Sequence, residues 1–277
     1  MIVYKNNKIH YFFKAFLDLL GPFYPPGSRP EEYLRLYAKV FDAVEIDSTF
    51  YGIPSLETVE RWYKSTPENF TFCPKFPREI THVNTGNSLE VTIQKFLNSI
   101  DPLKKKLGPV LIQFPSSFKY PFGAEKLRKI LNILPGGYRF ALEFRDNSWF
   151  NESIISDIRA RDLVIAWSDG PFIQDQSLLT SDSIYLRLVG NRSIKENEFG
   201  KVKFDRHDRI DAWAEKIKES LEEIMDFVVF VNNHFQGFSP ATVNAFRSVI
   251  GMQPVNWDSI FKKGKPDAGR SLFSGWE

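Results

Sequence analysis

Two glutamates, Glu45 and Glu143, each follow a short apolar run, Ala43-Val44 and Phe140-Ala141-Leu142. Carboxylates paired on one rim supply general acid/base chemistry when their surroundings push their pKa values apart. Their competing role is ion pairing with Arg145, Arg187 or Lys75. These three cations, with Arg192, also fall at or just beyond the ends of apolar runs. Guanidinium forks suit bidentate capture of phosphate or carboxylate, so a small anionic ligand is the direct inference. The bland alternative is charge balance of Glu45, Asp47, Glu143 and Asp169.

Two of the four histidines are placed for the same rim: His82 follows Lys75 in the next loop, and His234 follows Asn232-Asn233 at the end of the last apolar run. Either could shuttle protons or serve as a structural hydrogen-bonding group. His10 and His207 are given no role. Gln113, Asp169, Asn232 and Asn233 close further runs and join the binding candidates. Tyr51 and Trp149, with Phe50, Trp167, Phe235 and Phe238, could stack on a base or sugar or simply pack the core. His82, His234, Glu45, Glu143 and Asp169 could assemble one metal site, but no His-Glu-x-x-His spacing appears, so no metal or other cofactor is expected. Mg²⁺ held by carboxylates alone escapes that argument. Neither the GxGxxG fingerprint nor the P-loop is present.

These residues need elements to position them. Seven segments read as buried parallel strands ending in polar groups: Ala43–Asp47, Phe70–Lys75, Pro109–Gln113, Tyr138–Glu143, Leu163–Asp169, Ser183–Arg187 and Phe227–Asn233. Helical periodicity alternates with them, as at Leu34, Tyr37, Ala38 and Phe41, and at Trp213, Ile217, Leu221 and Ile224. Further helices are expected at Ser55–Lys64, Ser88–Lys104, Ala124–Leu134, Glu152–Arg161 and Pro240–Val249. This alternation predicts an α/β chain of the TIM-type (β/α)8 barrel class, with its site at the C-terminal ends of the strands. An eighth strand must come from Ile2–Tyr4 or Lys8–Phe12, so the first strand is expected to be irregular or incomplete. Gly170–Asp182 is short and contains Pro171, which fits a short crossover or a lid loop. Gly21–Gly27, with three prolines and two glycines, is a turn or extended loop placed to overhang the site.

With 277 residues, 43% of them hydrophobic, the chain can bury one large core. One barrel domain is expected over residues 1–251, followed by a basic, Gly- and Pro-containing extension over 252–277. A net charge of +2 implies no nucleic acid by itself but permits a local basic patch. One cysteine, Cys73, excludes an internal disulfide and fits a reducing cytoplasmic setting. In residues 11–20, Lys14 and Asp18 interrupt the apolar run, and no other stretch approaches membrane-spanning length. No membrane partner is therefore expected.

Six motifs occur in order: Glu45-Ile-Asp-Ser-Thr-Phe-Tyr51, Phe72-Cys-Pro-Lys-Phe-Pro-Arg-Glu-Ile-Thr-His82, Gly108-Pro-Val-Leu-Ile-Gln-Phe-Pro115, Glu143-Phe-Arg-Asp-Asn-Ser-Trp149, Tyr185-Leu-Arg-Leu-Val-Gly190 and Val231-Asn-Asn-His-Phe-Gln-Gly237. Together they resemble the "domain of unknown function 72" family, also called YecE-like, over about Gly21 to Gly251. The resemblance implies a TIM-type barrel, a cytoplasmic protein and no agreed activity. It marks Glu45, Ser48, Tyr51, Lys75, His82, Gln113, Glu143, Arg145, Trp149, Asp169, Arg187, Asn232 and Asn233 as a shared rim. The chain departs from the family pattern twice. Lys8–Lys14 lacks the Gly-x-Ser-Gly-Trp-like end of the first strand, and Val189 stands where members often carry histidine. The leading expectation is an enzyme, a hydrolase or lyase, that applies general acid/base chemistry to a phosphorylated or carboxylated compound. The alternatives are a metal-assisted phosphodiesterase or endonuclease acting on nucleic acid, and a ligand-binding module without turnover.

Overall fold

The computed structural model describes residues 8–13, 19–82, 88–173 and 175–263. Among the described residues there are nine parallel strand segments, most of them separated by helices. They are β1 (Lys8–Phe13), β2 (Ala43–Ile46), β3 (Thr71–Pro74), β4 (Val110–Gln113), β5 (Phe140–Glu143), β6 (Val164–Ile165), β7 (Trp167–Asp169), β8 (Ser183–Leu188) and β9 (Asp226–Val231). The N-terminal strand is thus Lys8–Phe13, and Ile2–Tyr4 lies outside the described residues. β1 sits between its neighbours, with Phe12 in register with Glu45 of β2 and Ile9 with Val229 of β9.

The strands form two sheets, in the orders β3-β2-β1-β9-β8-β7 and β4-β5-β6. Their edges meet at two places. The expected single strand Leu163–Asp169 changes partner at Ala166: Leu142 pairs with Ile165 on one side and Leu186 with Trp167 on the other, while the Ala166 N–H reaches the Leu142 carbonyl at 2.9 Å. At the other junction, bridges Phe72–Leu107 and Lys75–Leu111 tie β3 to the chain around β4.

Side chains alternate across each strand, so both faces of these buried strands are apolar and fill two distinct cores. Between the sheets, Cys73, Leu111, Ala141, Val164, Ala166, Tyr185, Val228 and Phe230 form one cluster. The intervening residues, among them Phe72, Ile112, Leu142, Ile165, Leu186 and Val229, pack outward under the helices.

The outer layer includes α1 (Pro30–Tyr37), α3 (Leu56–Lys64), α5 (Leu89–Ile100), α6 (Ala124–Ile133), α7 (Glu152–Ala160), α8 (His207–Ser220), α10 (Ser239–Val249) and α11 (Trp257–Lys263). Short helices α2 (Ser48–Tyr51), α4 (Arg78–Thr81) and α9 (Asn233–Gln236) follow β2, β3 and β9 directly. The helix expected over Ser88–Lys104 stops at Ile100 and becomes a 3-10 turn over Asp101–Lys106. Pro102 lacks the N–H that would continue the α-helical ladder.

Between β7 and β8 the described residues hold no helix, as a short crossover requires. The returning chain hydrogen-bonds to the strand it leaves: Thr180 Oγ1 accepts from the Ile165 N–H at 2.9 Å, and the Trp167 indole donates to the Leu178 carbonyl at 3.0 Å. The Gly21–Gly27 loop does not overhang the site. Its Phe23 and Tyr24 are buried, with Phe23 stacked on Phe41 and Tyr24 on Tyr33. Residues 252–263 of the C-terminal extension pack there too, as Trp257 and Phe261 lie 5.9 and 5.7 Å from the Phe23 ring.

Gly190, after β8, has φ +73°, and a Cβ there would stand 2.3 Å from the His234 carbonyl oxygen. No side chain fits against that backbone. Gly190→Ala should therefore destabilise the protein by about 3 kcal/mol, from combined left-handed strain and backbone displacement. Urea unfolding would read this as a lowered midpoint; an unchanged midpoint would mean that the β8 and β9 ends are not held together here.

Candidate functional site

The inward-facing positions turn polar at the C-terminal ends of the strands. On β8, Tyr185 belongs to the inner apolar cluster and Arg187, two residues on, lies above it; on β5, Ala141 is followed in the same way by Glu143. Glu45, Glu143 and Arg187 are all buried, at 0, 2 and 3% exposure. Arg187 joins the two acids. Its Nη2 and Nε donate to Glu45 Oε1 and Oε2 at 2.7 and 2.9 Å, and its Nη1 donates to Glu143 Oε2.

Further donors complete each carboxylate. The Tyr185 hydroxyl donates to Glu45 Oε2 at 2.7 Å, Gln113 Nε2 to Glu143 Oε2 at 2.6 Å, and Arg145 Nε to Glu143 Oε1 at 3.2 Å. Burial pushes Glu143 up, but Arg187, Arg145, Gln113 and Lys75 outweigh it and bring its pKa down to about 2. Burial raises the Glu45 carboxyl, with Arg187 opposing that shift. The Tyr185 hydroxyl is raised by burial and by Glu45.

Above this network opens a cavity of about 510 Å³, within the range of small-molecule sites. Its walls carry five cationic side chains, Lys75, Arg78, Arg145, Arg187 and Arg192, against two carboxylates, Asp47 and Glu196. Phe50, Tyr51, His82, Gln113, Val189, Phe199, Asn232, Asn233 and His234 complete the lining. The Asn232 Oδ1 accepts the His234 N–H as the cap of α9, and the Asn233 Oδ1 accepts from the Ser239 N–H and hydroxyl. Both carboxamides are thus oriented by their oxygens. Burial first, then the charges of Lys75, Arg145, Arg78 and Lys126, lower the His82 pKa to about 4, so its ring is neutral at pH 7. Thr81 Oγ1 lies 2.7 Å from its Nδ1.

Of the residues singled out in the sequence, Tyr51, Lys75, His82, Gln113, Arg145, Arg187, Asn232, Asn233 and His234 come together around this cavity, with Glu45 and Glu143 directly beneath. Asp169 and Trp149 do not. Inward positions of the sixth strand are Val164, Ala166 and, by alternation, Ser168, which turns Asp169 outward. There it accepts from Arg209 Nε and Nη2 and from the Trp213 indole of α8, at 3.0, 2.8 and 2.9 Å. Trp149 is fully buried, stacked between Phe118 and Phe144, with its indole donating to the Phe118 carbonyl at 2.5 Å. Its role is packing.

Sequence reasoning missed Tyr185, whose place two residues before Arg187 is the available signal. It gave Thr49 and Arg78 no part either. Among the described residues, no group of three or more His, Cys, Asp or Glu side chains converges as metal ligands do.

A family model described as "Protein of unknown function DUF72" matches residues 15–266. The chain belongs to the DUF72 family. Over 117 residues it is 33% identical to UPF0759 protein YecE of Escherichia coli (strain K12), a match covering 42% of this chain and 43% of that protein, so less than half of its length is spanned. UPF0759 protein YunF of Bacillus subtilis (strain 168) is 27% identical over 244 residues, which is 77% of this chain and 85% of the relative. Among solved structures, a DUF72 family protein from Thermotoga maritima MSB8 superposes with TM-score 0.76 and 26% identity, over 88% of this chain and 99% of that one. D-psicose 3-epimerase superposes with TM-score 0.51 and 12% identity, over 88% and 99%, which shows a shared TIM-barrel-like fold and nothing of its chemistry. These likenesses establish an α/β fold of the DUF72 type. No helix among the described residues is long and apolar enough to cross a membrane.

The buried network of this DUF72 protein makes a thermodynamic prediction. Because the folded Glu143 pKa of about 2 lies below its ordinary 4.5, its contribution to stability is present above pH 4.5 and is lost as pH falls towards 2. Removing the cation reverses the downward shift of Glu143 and lets burial raise Glu45 further. Arg187→Met should cost about 3–5 kcal/mol at pH 7, since two buried carboxylates lose their partner. It should regain part of that on acidification to pH 5, more than wild type gains, as the folded mutant takes up protons. Unfolding free energies at the two pH values check this; equal pH responses would mean that Arg187 does not hold the carboxylates ionised.

Proposed function

We propose that the protein binds a small organic anion, phosphorylated or carboxylated, in the cavity above Arg187, and transforms it by proton transfer. The observation that carries this reading is the five-to-two excess of cationic over carboxylate side chains in the lining. Arg145 gives its Nε to Glu143, and its two terminal amino groups are left for a ligand. The Asn232 and Asn233 amide nitrogens add neutral donors once their oxygens are occupied.

Proton transfer falls to groups in the cavity wall rather than to Glu45 and Glu143. All four oxygens of those carboxylates accept hydrogen bonds from Arg187, Tyr185, Gln113 or Arg145, which suits them to hold Arg187 in place. His82, neutral at pH 7, is the better base, and a bound anion would raise its pKa towards the working range. The two sheets, joined at Ala166 and at the Lys75–Leu111 bridge, support a closed (β/α)8 arrangement that keeps these walls rigid. A cytoplasmic location fits a chain with one cysteine.

Thermal unfolding against phosphate, sulfate, sugar phosphates and dicarboxylates tests the reading. A ligand at a hundred times its Kd should add about 2.7 kcal/mol of stability. Arg145→Ala should lose most of that gain, and nuclear magnetic resonance titration of His82 should show its pKa rising from about 4 with ligand bound. Absence of stabilisation by any of these anions, or equal stabilisation of the mutant, would remove the anion site.

A further inference from the structure

Two cations at the base of the cavity, Arg187 and Lys75, are held differently. Arg187 is engaged by two carboxylates, whereas Lys75, only 6% exposed, approaches Asp47 Oδ1 no closer than 3.4 Å. Charge-assisted contacts normally close to 2.7–2.9 Å. The Lys75 Nζ lies instead over the Phe50 ring, 4.4 Å from its centre.

Its backbone, by contrast, is firmly fixed. The Thr49 hydroxyl accepts the Lys75 N–H at 2.9 Å and lies 2.7 Å from the Lys75 carbonyl oxygen, while the next N–H, of Phe76, donates to Leu111 at 2.8 Å. Asp47, Thr49 and Phe50 all belong to the single turn that starts α2. One short segment therefore supplies the loose carboxylate, the backbone clamp and the aromatic floor for the same lysine. A merely charge-balancing lysine needs none of this positioning.

We propose that Lys75 is a nucleophile that forms an imine with the carbonyl group of a small anionic oxo compound. The inference rests on the anion site proposed above, since the cavity's cations would hold the anionic group while Lys75 meets the carbonyl carbon. Burial, with the neighbouring Arg187 charge, lowers the lysine pKa, which enlarges the fraction of neutral amine.

The amine lone pair forms the N–C bond as the C=O π electrons move to oxygen. Asp47, at 3.4 Å, takes one proton from the nitrogen and returns it to that oxygen, giving a neutral carbinolamine. A second proton, drawn from solvent, lets the hydroxyl leave as water while the nitrogen lone pair forms the C=N bond of the iminium. Hydrolysis reverses each transfer and releases the lysine. The ring nitrogens of His82 stand in the same wall for any proton removed next to the iminium carbon.

Borohydride trapping on the full chain tests this, with pyruvate and dihydroxyacetone phosphate as probes for carboxylate and phosphate headgroups. The expected result is one reduced adduct per chain, mapped to Lys75 by peptide mass. It should be absent in Lys75→Arg and formed about a hundredfold more slowly in Asp47→Asn, which keeps the amine and loses the proton acceptor. Phosphate-dependent thermal stabilisation is measured in parallel on all three proteins. An adduct that maps elsewhere or persists in Lys75→Arg overturns the inference, as does stabilisation by phosphate without trapping of either probe, which leaves the anion site standing. Failure of both stabilisation and trapping overturns the two readings together.

Discussion

Arg187 is the residue on which the rest of the site depends. It projects from β8 and is gripped by carboxylates from β2 and β5, so a single guanidinium ties strands of both sheets at the end where the apolar interior stops. Burying three charges costs several kcal/mol per ion before any pairing, and apolar residues of similar volume could stabilise the same space as well. What apolar residues could not provide is orientation. With both carboxylates aimed at Arg187, their remaining lone pairs select the rotamers of Tyr185, Gln113 and Arg145. The floor of the cavity is thus set by hydrogen-bond geometry, and the free end of Arg145 is placed by the same acid that fixes Arg187.

Much of this was legible in the chain because parallel strands write a simple pattern. Seven apolar runs ending in polar residues identified seven of the strand positions, and most of the polar ends do meet at one cavity. The failures have particular physical causes. Asp169 closes its run as Glu143 does, but the side-chain period is two, and Ser168 rather than Asp169 shares the parity of the inward Val164 and Ala166. Counting back from a strand end cannot see parity; counting from the small inward residues can. Trp149 followed a strand yet belongs to a stack of rings, which reflects how many aromatics this chain has to bury.

Other features were not legible because they depend on contacts between distant segments. Nothing local in Gly21–Gly27 says that Phe23 will face Trp257, 234 positions later, rather than the site. The role of Glu45 and Glu143 is a similar case. As sequence they are equally good acid/base groups and ion-pair partners, and the choice turns on whether their oxygens are free. In the fold each oxygen already accepts a hydrogen bond, which makes structural anchoring the stronger part of their work.

The same electrostatics explains why the cavity's chemistry differs from that of a two-carboxylate site. With Glu45 and Glu143 engaged from below, burial first and then the field of the surrounding cations bring His82 to about 4, while burial, with Arg187 adding to it and Asp47 opposing it, lowers Lys75. His82 is therefore neutral at pH 7 before an anion arrives, and the Lys75 amine gives up its proton more readily than an exposed lysine. A bound phosphate or carboxylate would cancel part of that field and raise both pKa values, so proton affinity would grow only when substrate is present. In the proposed reaction, a cationic pocket built over a self-satisfied salt-bridge floor would couple ligand charge to base strength. Val189 adds an apolar patch to this wall and no titratable group, so the histidines that line the cavity are His82 and His234.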